Sequence, residues 1–221
     1  MPDIPKNIYY SIMRNMRHVV NSLFLGTVIG LENIPKPPFI LACNHVSIPD
    51  GWLLGNLMIL EFNQTPYFIV RDDFWLNRTW TLYISKKLTG LPIDWRNPSQ
   101  VVEESLDILK QNGIIGIFPE ATRNAHEEIL LKGKTGTARL AHWSGCPVVP
   151  VGYFGPAIAT TWQAINHFVL HRRLAKIVFG KPVQFEHLEC DHTTKETLYK
   201  TTDKIMIEIG KLCKKRPQLH Y

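Results

Sequence analysis

Short apolar runs spaced between helix-length segments constrain this chain more than any other feature. The runs are Phe39 to Cys43, Tyr67 to Val70, Ile114 to Phe118, Val148 to Tyr153 and Ala175 to Phe179. They are continuous in apolar character, as expected of strands covered on both faces. Helix-length patterns fill Gly51 to Phe62, Asp73 to Leu88, Pro98 to Asn112, Lys134 to Ser144 and Thr194 to Lys214. The third of these is well punctuated: Asn97 suits its cap, Pro98 its first turn and Gly113 its exit. Strands and helices in alternation imply an α/β fold, a largely parallel sheet flanked by helices.

Ahead of the first strand, residues Ile8 to Ile29 read as one helix. Ile8, Tyr9, Ile12, Met13, Met16, Val19, Val20, Leu23 and Phe24 recur at helical spacing, with Arg14, Asn15, Arg17, His18, Asn21 and Ser22 on the other face. Such a basic amphipathic helix lies in a membrane interface or packs its apolar face on a core, and periodicity does not choose. We divide the chain into an N-terminal helical segment, residues 1–33, and a domain of residues 34–221. Within the segment, Val19 to Leu31 is the longest uncharged apolar-leaning run. It falls short of the ~20 residues of a spanning helix. The opening residues, with Pro2, Asp3 and Pro5, do not form a cleavable leader.

The net charge of +6 favours an anionic partner: phosphate, CoA, nucleic acid or an anionic membrane surface. No nucleic-acid-reading motif is present, so nucleic acid is not an expected partner. Arg172, Arg173, Lys211, Lys214, Lys215 and Arg216 are either a solvated face or a contact to anionic lipid. Cys43, Cys146, Cys190 and Cys213 lack paired spacing and read as buried free thiols. His187, Glu189, Cys190, Asp191 and His192 hold potential ligands without a second cluster, so no metal is expected.

Polar clusters follow two of the strands, at the carboxyl ends where α/β sheets place their sites. After the first strand comes Asn44-His45-Val46-Ser47-Ile48-Pro49-Asp50. Histidine moves protons near neutral pH, and an aspartate within reach orients the ring and stabilises the imidazolium. Taken alone, such a pair is most often a loop histidine held by a neighbour. After the third strand comes Phe118-Pro119-Glu120-Ala121-Thr122-Arg123. No serine or cysteine nucleophile signature accompanies either cluster, which points to a base acting on a hydroxyl of the substrate.

In these blocks the chain resembles the glycerolipid acyltransferases, in particular the PlsC-like 1-acyl-sn-glycerol-3-phosphate acyltransferase branch. Asn44, His45, Ser47 and Asp50 match the family's first block, Asn-His-x-Ser-x-x-Asp. Phe118, Pro119, Glu120, Thr122 and Arg123 match its third, Phe-Pro-Glu-Gly-Thr-Arg, and Lys132-Gly133 matches a pair that follows it. Val149-Pro150-Val151 matches the fourth block, and Gly90 to Arg96 matches the second more loosely, with Trp95 inserted before the arginine. Ala121 stands where the family usually has glycine. The likeness spans roughly residues 35–155.

The resemblance implies transfer of a fatty acyl group from acyl-CoA or acyl-ACP to the free hydroxyl of lysophosphatidic acid, giving phosphatidic acid, without a cofactor. His45 would be the base and Asp50 its orienting partner. Arg96 and Arg123 would bind the acceptor's phosphate, Lys132 would add positive potential there or be a solvated surface lysine, and Glu120 and Thr122 would hold the glycerol or organise the loop. Asn44, Ser47, Pro119 and Pro150 are read as structural members of the motifs. The implied location is the cytoplasmic face of a membrane, peripheral or monotopic. Two alternatives stand beside this one: another lysolipid acceptor, such as a lyso-ornithine lipid or a headgroup-bearing lysophospholipid, or a catalytically silent membrane-binding scaffold. Trp52 to Leu60, after the first block, line either an acyl groove or the core.

Overall fold

The structure, a computed structural model, describes residues 8–47, 49–71, 90–93, 98–157, 163, 166–167 and 170–221. Helix α1 (Ile8–Phe24) leads into strand β1 (Leu25–Ile29), followed by β2 (Phe39–Cys43), α2 (Pro49–Phe62), β3 (Tyr67–Arg71) and β4 (Gly90–Ile93). Then come α3 (Pro98–Lys110), β5 (Ile114–Ile117), β6 (Ile129–Leu130), α4 (Gly136–Ser144), β7 (Val148–Phe154), β8 (Ala175–Phe179), α5 (Lys195–Cys213) and β9 (Arg216–Pro217). Seven strands form one sheet in the order β1-β8-β7-β2-β5-β3-β4. From β7 through β4 all neighbours are parallel, while β8 pairs antiparallel with β7 and β1 runs parallel to β8. The α/β, largely parallel expectation therefore holds, with a reversed edge.

Side-chain alternation along the central strands sorts the core into two faces. Phe39, Leu41 and Cys43 of β2 join Val149, Val151 and Tyr153 of β7 and Leu53, Leu54, Leu57 and Met58 of α2 on one face. Ile40 and Ala42 turn the other way, toward Val101 and Leu109 of α3, Leu140 and Ala141 of α4, and Ile205, Met206 and Ile209 of α5. Burying each such side chain contributes roughly 1.5–3 kcal/mol. The four α2 residues are core members, whereas Trp52 and Leu60 of the same run are half-buried.

Two elements depart from the sequence reading. The N-terminal helix ends at Phe24, five residues early, and Leu25–Ile29 instead forms an edge strand. The helical rhythm through Leu23 and Phe24 concealed β-branched Thr27, Val28 and Ile29, which pair alongside β8. Gly26 permits that pairing, since a Cβ there would collide with the carbonyl of Arg173. Strand β4 was not expected because it contains Gly90 and Pro92; it lies at the sheet edge, where a proline costs no ladder bond. The expected helix from Asp73 to Leu88 lies outside the described residues.

At the exit of α3 the left-handed residue is Asn112 (φ 59°), and the Gly113 N–H returns to the Ile108 carbonyl at 2.9 Å. Cys43, Cys146 and Cys213 are buried, but Cys190 is exposed, which corrects the expectation for that thiol. Among the described residues no helix is long and apolar enough to cross a membrane.

Candidate active site

Strands β2 and β5 are hydrogen-bonded neighbours, parallel and in register from Phe39 opposite Ile114 to Ala42 opposite Ile117. That register delivers the two polar clusters to one end of the sheet, side by side. Asn44 is the first residue past β2 and is 1% exposed. Its side-chain oxygen accepts from the Tyr153 N–H at 2.7 Å, and its amide donates to the Tyr153 carbonyl at 3.0 Å. The side chain thereby continues the β2–β7 ladder by one step, while the main chain is free to turn toward β5.

After that turn His45 is pinned at its backbone by the β5 loop. Its N–H donates to Glu120 Oε1 at 3.3 Å and its carbonyl accepts from the Asn124 N–H at 2.7 Å. The ring stacks on Phe118, centroids 4.1 Å apart and planes at 21°. Phe118 in turn stacks near Phe68 of β3, and Gly116 makes this possible, because a side chain there would occupy the space of the Phe68 ring. His45 Nδ1 lies 2.9 and 3.1 Å from the two oxygens of Asp50. The ring remains about a quarter exposed at 23%, whereas Asp50 is fully buried at 0%.

Burial of a carboxylate demands donors. Asp50 sits in the first turn of α2, where free N–H groups and the helix dipole favour an anion. It accepts from the N–H groups of Val46 (2.9 Å), Ser47 (3.1 Å) and Gly51 (2.7 Å). With the Nδ1 proton given to Asp50, the ring's Nε2 is left as the proton acceptor. Ser47 contributes its backbone to this cage. Its hydroxyl is buried near that of Tyr153 and, among the described residues, does not cap α2.

Glu120 is 3% exposed, and its carboxylate also serves as an anchor. Beyond His45 it receives the Asn124 side-chain amide at 2.7 Å and the Leu131 N–H at 2.9 Å. Asn124 further donates to the Ile129 carbonyl at 2.7 Å. This ties residues 118–131 into a fixed loop. Of the two roles weighed for Glu120, the organisation of the loop is the one its contacts serve. Pro119 is buried, and its carbonyl accepts from the Lys134 N–H at 2.8 Å. Pro150 is buried within β7, so it sets the strand's shape and does not line the site. Ala121 has φ 57°, the left-handed region that favours glycine.

Beside this loop lies an open recess lined by Glu120, Ala121, Thr122, Leu131, Lys132, Lys134 and Gln218. Thr122 and Lys132 are exposed, and Arg123 is half-buried in the same loop. Arg96 lies outside the described residues. The structure thus unites His45, Asp50, Glu120, Thr122 and Lys132 around one end of the sheet. Asn124, Lys134 and Gln218 were missed: the first two lie beyond the motif blocks, and Gln218 is brought in from a distant segment.

Cys43 adjoins the motif but is no nucleophile. Burial, followed by the charges of Asp50, Cys213 and Glu120, pushes its thiol well above the ordinary range. Among the described residues no group of three or more His, Cys, Asp or Glu side chains is placed to hold a metal. The arrangement offers an oriented, partly exposed imidazole, and its backbone is tied through Glu120 to a recess bearing ammonium and hydroxyl groups.

A family model described as Acyltransferase matches residues 26–154. A Bacillus subtilis (strain 168) protein, 1-acyl-sn-glycerol-3-phosphate acyltransferase, is 28% identical over 219 residues, covering 95% of this chain and 100% of its own length. A Saccharomyces cerevisiae protein of the same name is 26% identical over 181 residues, covering 78% of this chain and 57% of its own. The crystal structure of the 1-acyl-sn-glycerophosphate (LPA) acyltransferase PlsC from Thermotoga maritima has the same fold, with a TM-score of 0.58 at 22% identity, covering 90% of this chain and 76% of that one.

Proposed function

Since the chain belongs to the acyltransferase family, we propose that it acylates lysophosphatidic acid to phosphatidic acid from a thioester donor, acyl-CoA or acyl-ACP. The carrying observation is the His45–Asp50 pair, at 2.9 and 3.1 Å, with the aspartate buried and the ring partly open. His45 Nε2 takes the proton from the acceptor hydroxyl as its oxygen attacks the thioester carbonyl. Asp50 stabilises the imidazolium that forms. The tetrahedral intermediate collapses by breaking the carbon–sulfur bond, and the imidazolium returns the proton to the leaving thiolate.

Arg123 and Arg96 bind the acceptor's phosphate, Lys132 adds positive potential, and Thr122 holds the glycerol; guanidinium and ammonium donors match phosphate oxygens. The names of the relatives in Bacillus and yeast support this acceptor. Attachment to the cytoplasmic face of a membrane fits a lipid substrate. Met16 and Val19 of α1, 46% and 49% exposed beside Arg14 and His18, support it.

Thiol release from acyl-CoA and from acyl-ACP with lysophosphatidic acid, comparing the native protein with His45→Ala, tests the reading. Phosphatidic acid identified by mass spectrometry from the native protein alone is the expected result. Equal turnover by a folded His45→Ala variant overturns the mechanism, and turnover only of other lysolipids overturns the acceptor.

A further inference from the structure

One wall of the recess comes from residues that follow the last helix. Lys214 ends α5 in a left-handed turn (φ 58°), and the chain doubles back along the loop that carries Glu120. The Arg216 N–H donates to the Glu128 carbonyl at 2.7 Å and the Gln218 N–H to the Leu130 carbonyl at 3.0 Å, so β9 lies parallel to β6. Upstream, the Lys215 ammonium donates to the His126 carbonyl. Downstream, the His220 N–H meets both oxygens of Asp203 at 3.0 and 2.9 Å, and its ring Nδ1 lies 2.7 Å from Oδ1. Tyr199 stacks on that ring with centroids 4.1 Å apart. Gly210 provides the clearance, since a Cβ there would come within 2.6 Å of the Lys215 carbonyl. The strap is fastened on both sides of Gln218, which lines the same recess as Thr122, Lys132 and Lys134.

The chemistry of that recess is one-sided. The single carboxylate in its lining, Glu120, is buried and engaged by the His45 and Leu131 N–H groups and the Asn124 amide. The exposed lining groups are two ammoniums, a hydroxyl and a carboxamide. This set suits a small anion with several acceptor oxygens. A phosphate monoester offers those oxygens.

We propose that Gln218, held by the strap, is a specificity-determining residue for the acceptor headgroup, acting with Lys134 on its phosphate. The assignment rests on lysophosphatidic acid being the acceptor. Gln218 is exposed, so changing its charge leaves the core untouched. A charge in the recess acts directly on a phosphate, whereas a purely structural residue gains from neither sign.

The test is a charge series at one position, Gln218→Glu and Gln218→Lys, read in two ways. Calorimetric titration with glycerol 3-phosphate, the water-soluble headgroup, reports binding without turnover. Steady-state kinetics report KM and kcat for lysophosphatidic acid. Gln218→Glu is expected to weaken glycerol 3-phosphate and raise the acceptor KM about tenfold, and Gln218→Lys to tighten binding several-fold. In both variants kcat and the donor KM stay within about twofold, since binding and not chemistry is altered. A flat series, or weakening by both substitutions, overturns the proposal. If the native protein acylates lysophosphatidic acid while the series is flat, the strap assignment alone fails. If glycerol 3-phosphate binds and follows the charge series while lysophosphatidic acid is not acylated, the headgroup site stands and the acyl-transfer reading fails.

Discussion

Replacing Asp50 by asparagine swaps one oxygen for an amino group and sets it against a cage of donors. The carboxylate accepts from three backbone N–H groups, those of Val46, Ser47 and Gly51, and from the ring of His45. A carboxylate accepts on both oxygens, an amide on only one. If the amide oxygen takes the place of Oδ2, the bonds to Val46 and Ser47 survive and the amino group faces the Gly51 N–H. If it takes the place of Oδ1, the amino group faces Val46 and Ser47 and donates to His45 Nδ1, which drives the ring proton onto Nε2. The first orientation leaves one buried donor unmet, about 1–3 kcal/mol. The bonds that remain lose their charge assistance, so the total loss of stability is on the order of 2–4 kcal/mol. For a chain of this size that lowers the melting midpoint by roughly 5–15 °C.

Catalysis loses more, because the imidazolium has no counter-charge and the second orientation holds the wrong tautomer. A fall in kcat of about 10²–10⁴ is expected, with KM within about threefold. Thiol release at substrate saturation, with thermal unfolding followed by circular dichroism on the same samples, measures both effects. A folded Asp50→Asn variant with kcat within threefold of the native protein would refute the orienting role. An unchanged melting midpoint would refute the hydrogen-bond accounting.

Asn44→Leu leaves the Tyr153 N–H and carbonyl unpaired in the core, and urea unfolding should show a loss of about 2–5 kcal/mol; a loss below 1 kcal/mol would mean that the side-chain ladder step carries no stability. Ala121→Gly relieves a left-handed alanine and should leave activity intact, with stability unchanged or raised by up to about 1 kcal/mol in the same assay; a marked drop would show that the methyl packs usefully. Among the four thiols, only the exposed Cys190 should react rapidly with a thiol reagent in the native protein, and all four after denaturation. Burial pushes the Cys213 thiol from 9.0 to about 11, so between those values the unfolded chain has released a proton that the folded chain keeps. Stability must therefore fall as pH rises through that window, and the urea midpoint should be lower at pH 10 than at pH 8, since Cys43 and Tyr153 shift the same way.

The central sheet was legible because its strands are short runs dominated by apolar residues. Phe39 to Cys43 was read with its observed bounds, and the Asn44–Asp50 cluster followed directly. The edges were harder. Leu25–Ile29 continues a helical rhythm although its partners choose a strand, and Gly90–Ile93 has composition that argues against a strand except at an edge. His45 and Asp50 were visible as a pair, but the cage around Asp50 is made of backbone, to which side-chain identity is blind. Glu120 carried its motif without revealing its partners, since Asn124 and Leu131 meet it only after the loop closes. Lys215 and Arg216 read as a solvated face or a contact to anionic lipid. They belong to a strap whose two-residue pairing spans from Ile129 to Arg216, a contact with no local signature.

The side chain of Asn44 standing in for a rung of the sheet has an evolutionary corollary. One residue both closes the ladder between two strands and releases the chain that carries His45, so the proposed catalytic loop and the fold share a keystone. A lineage that dispensed with the chemistry would not be free to let this motif drift. Losing Asn44 or Asp50 would forfeit folding free energy before it forfeited anything else, and a surviving non-enzymatic descendant would have to repack the end of its sheet. Retention of these residues in a relative is therefore evidence of foldedness first, and the proposed chemistry must be judged from His45, whose ring stays partly open.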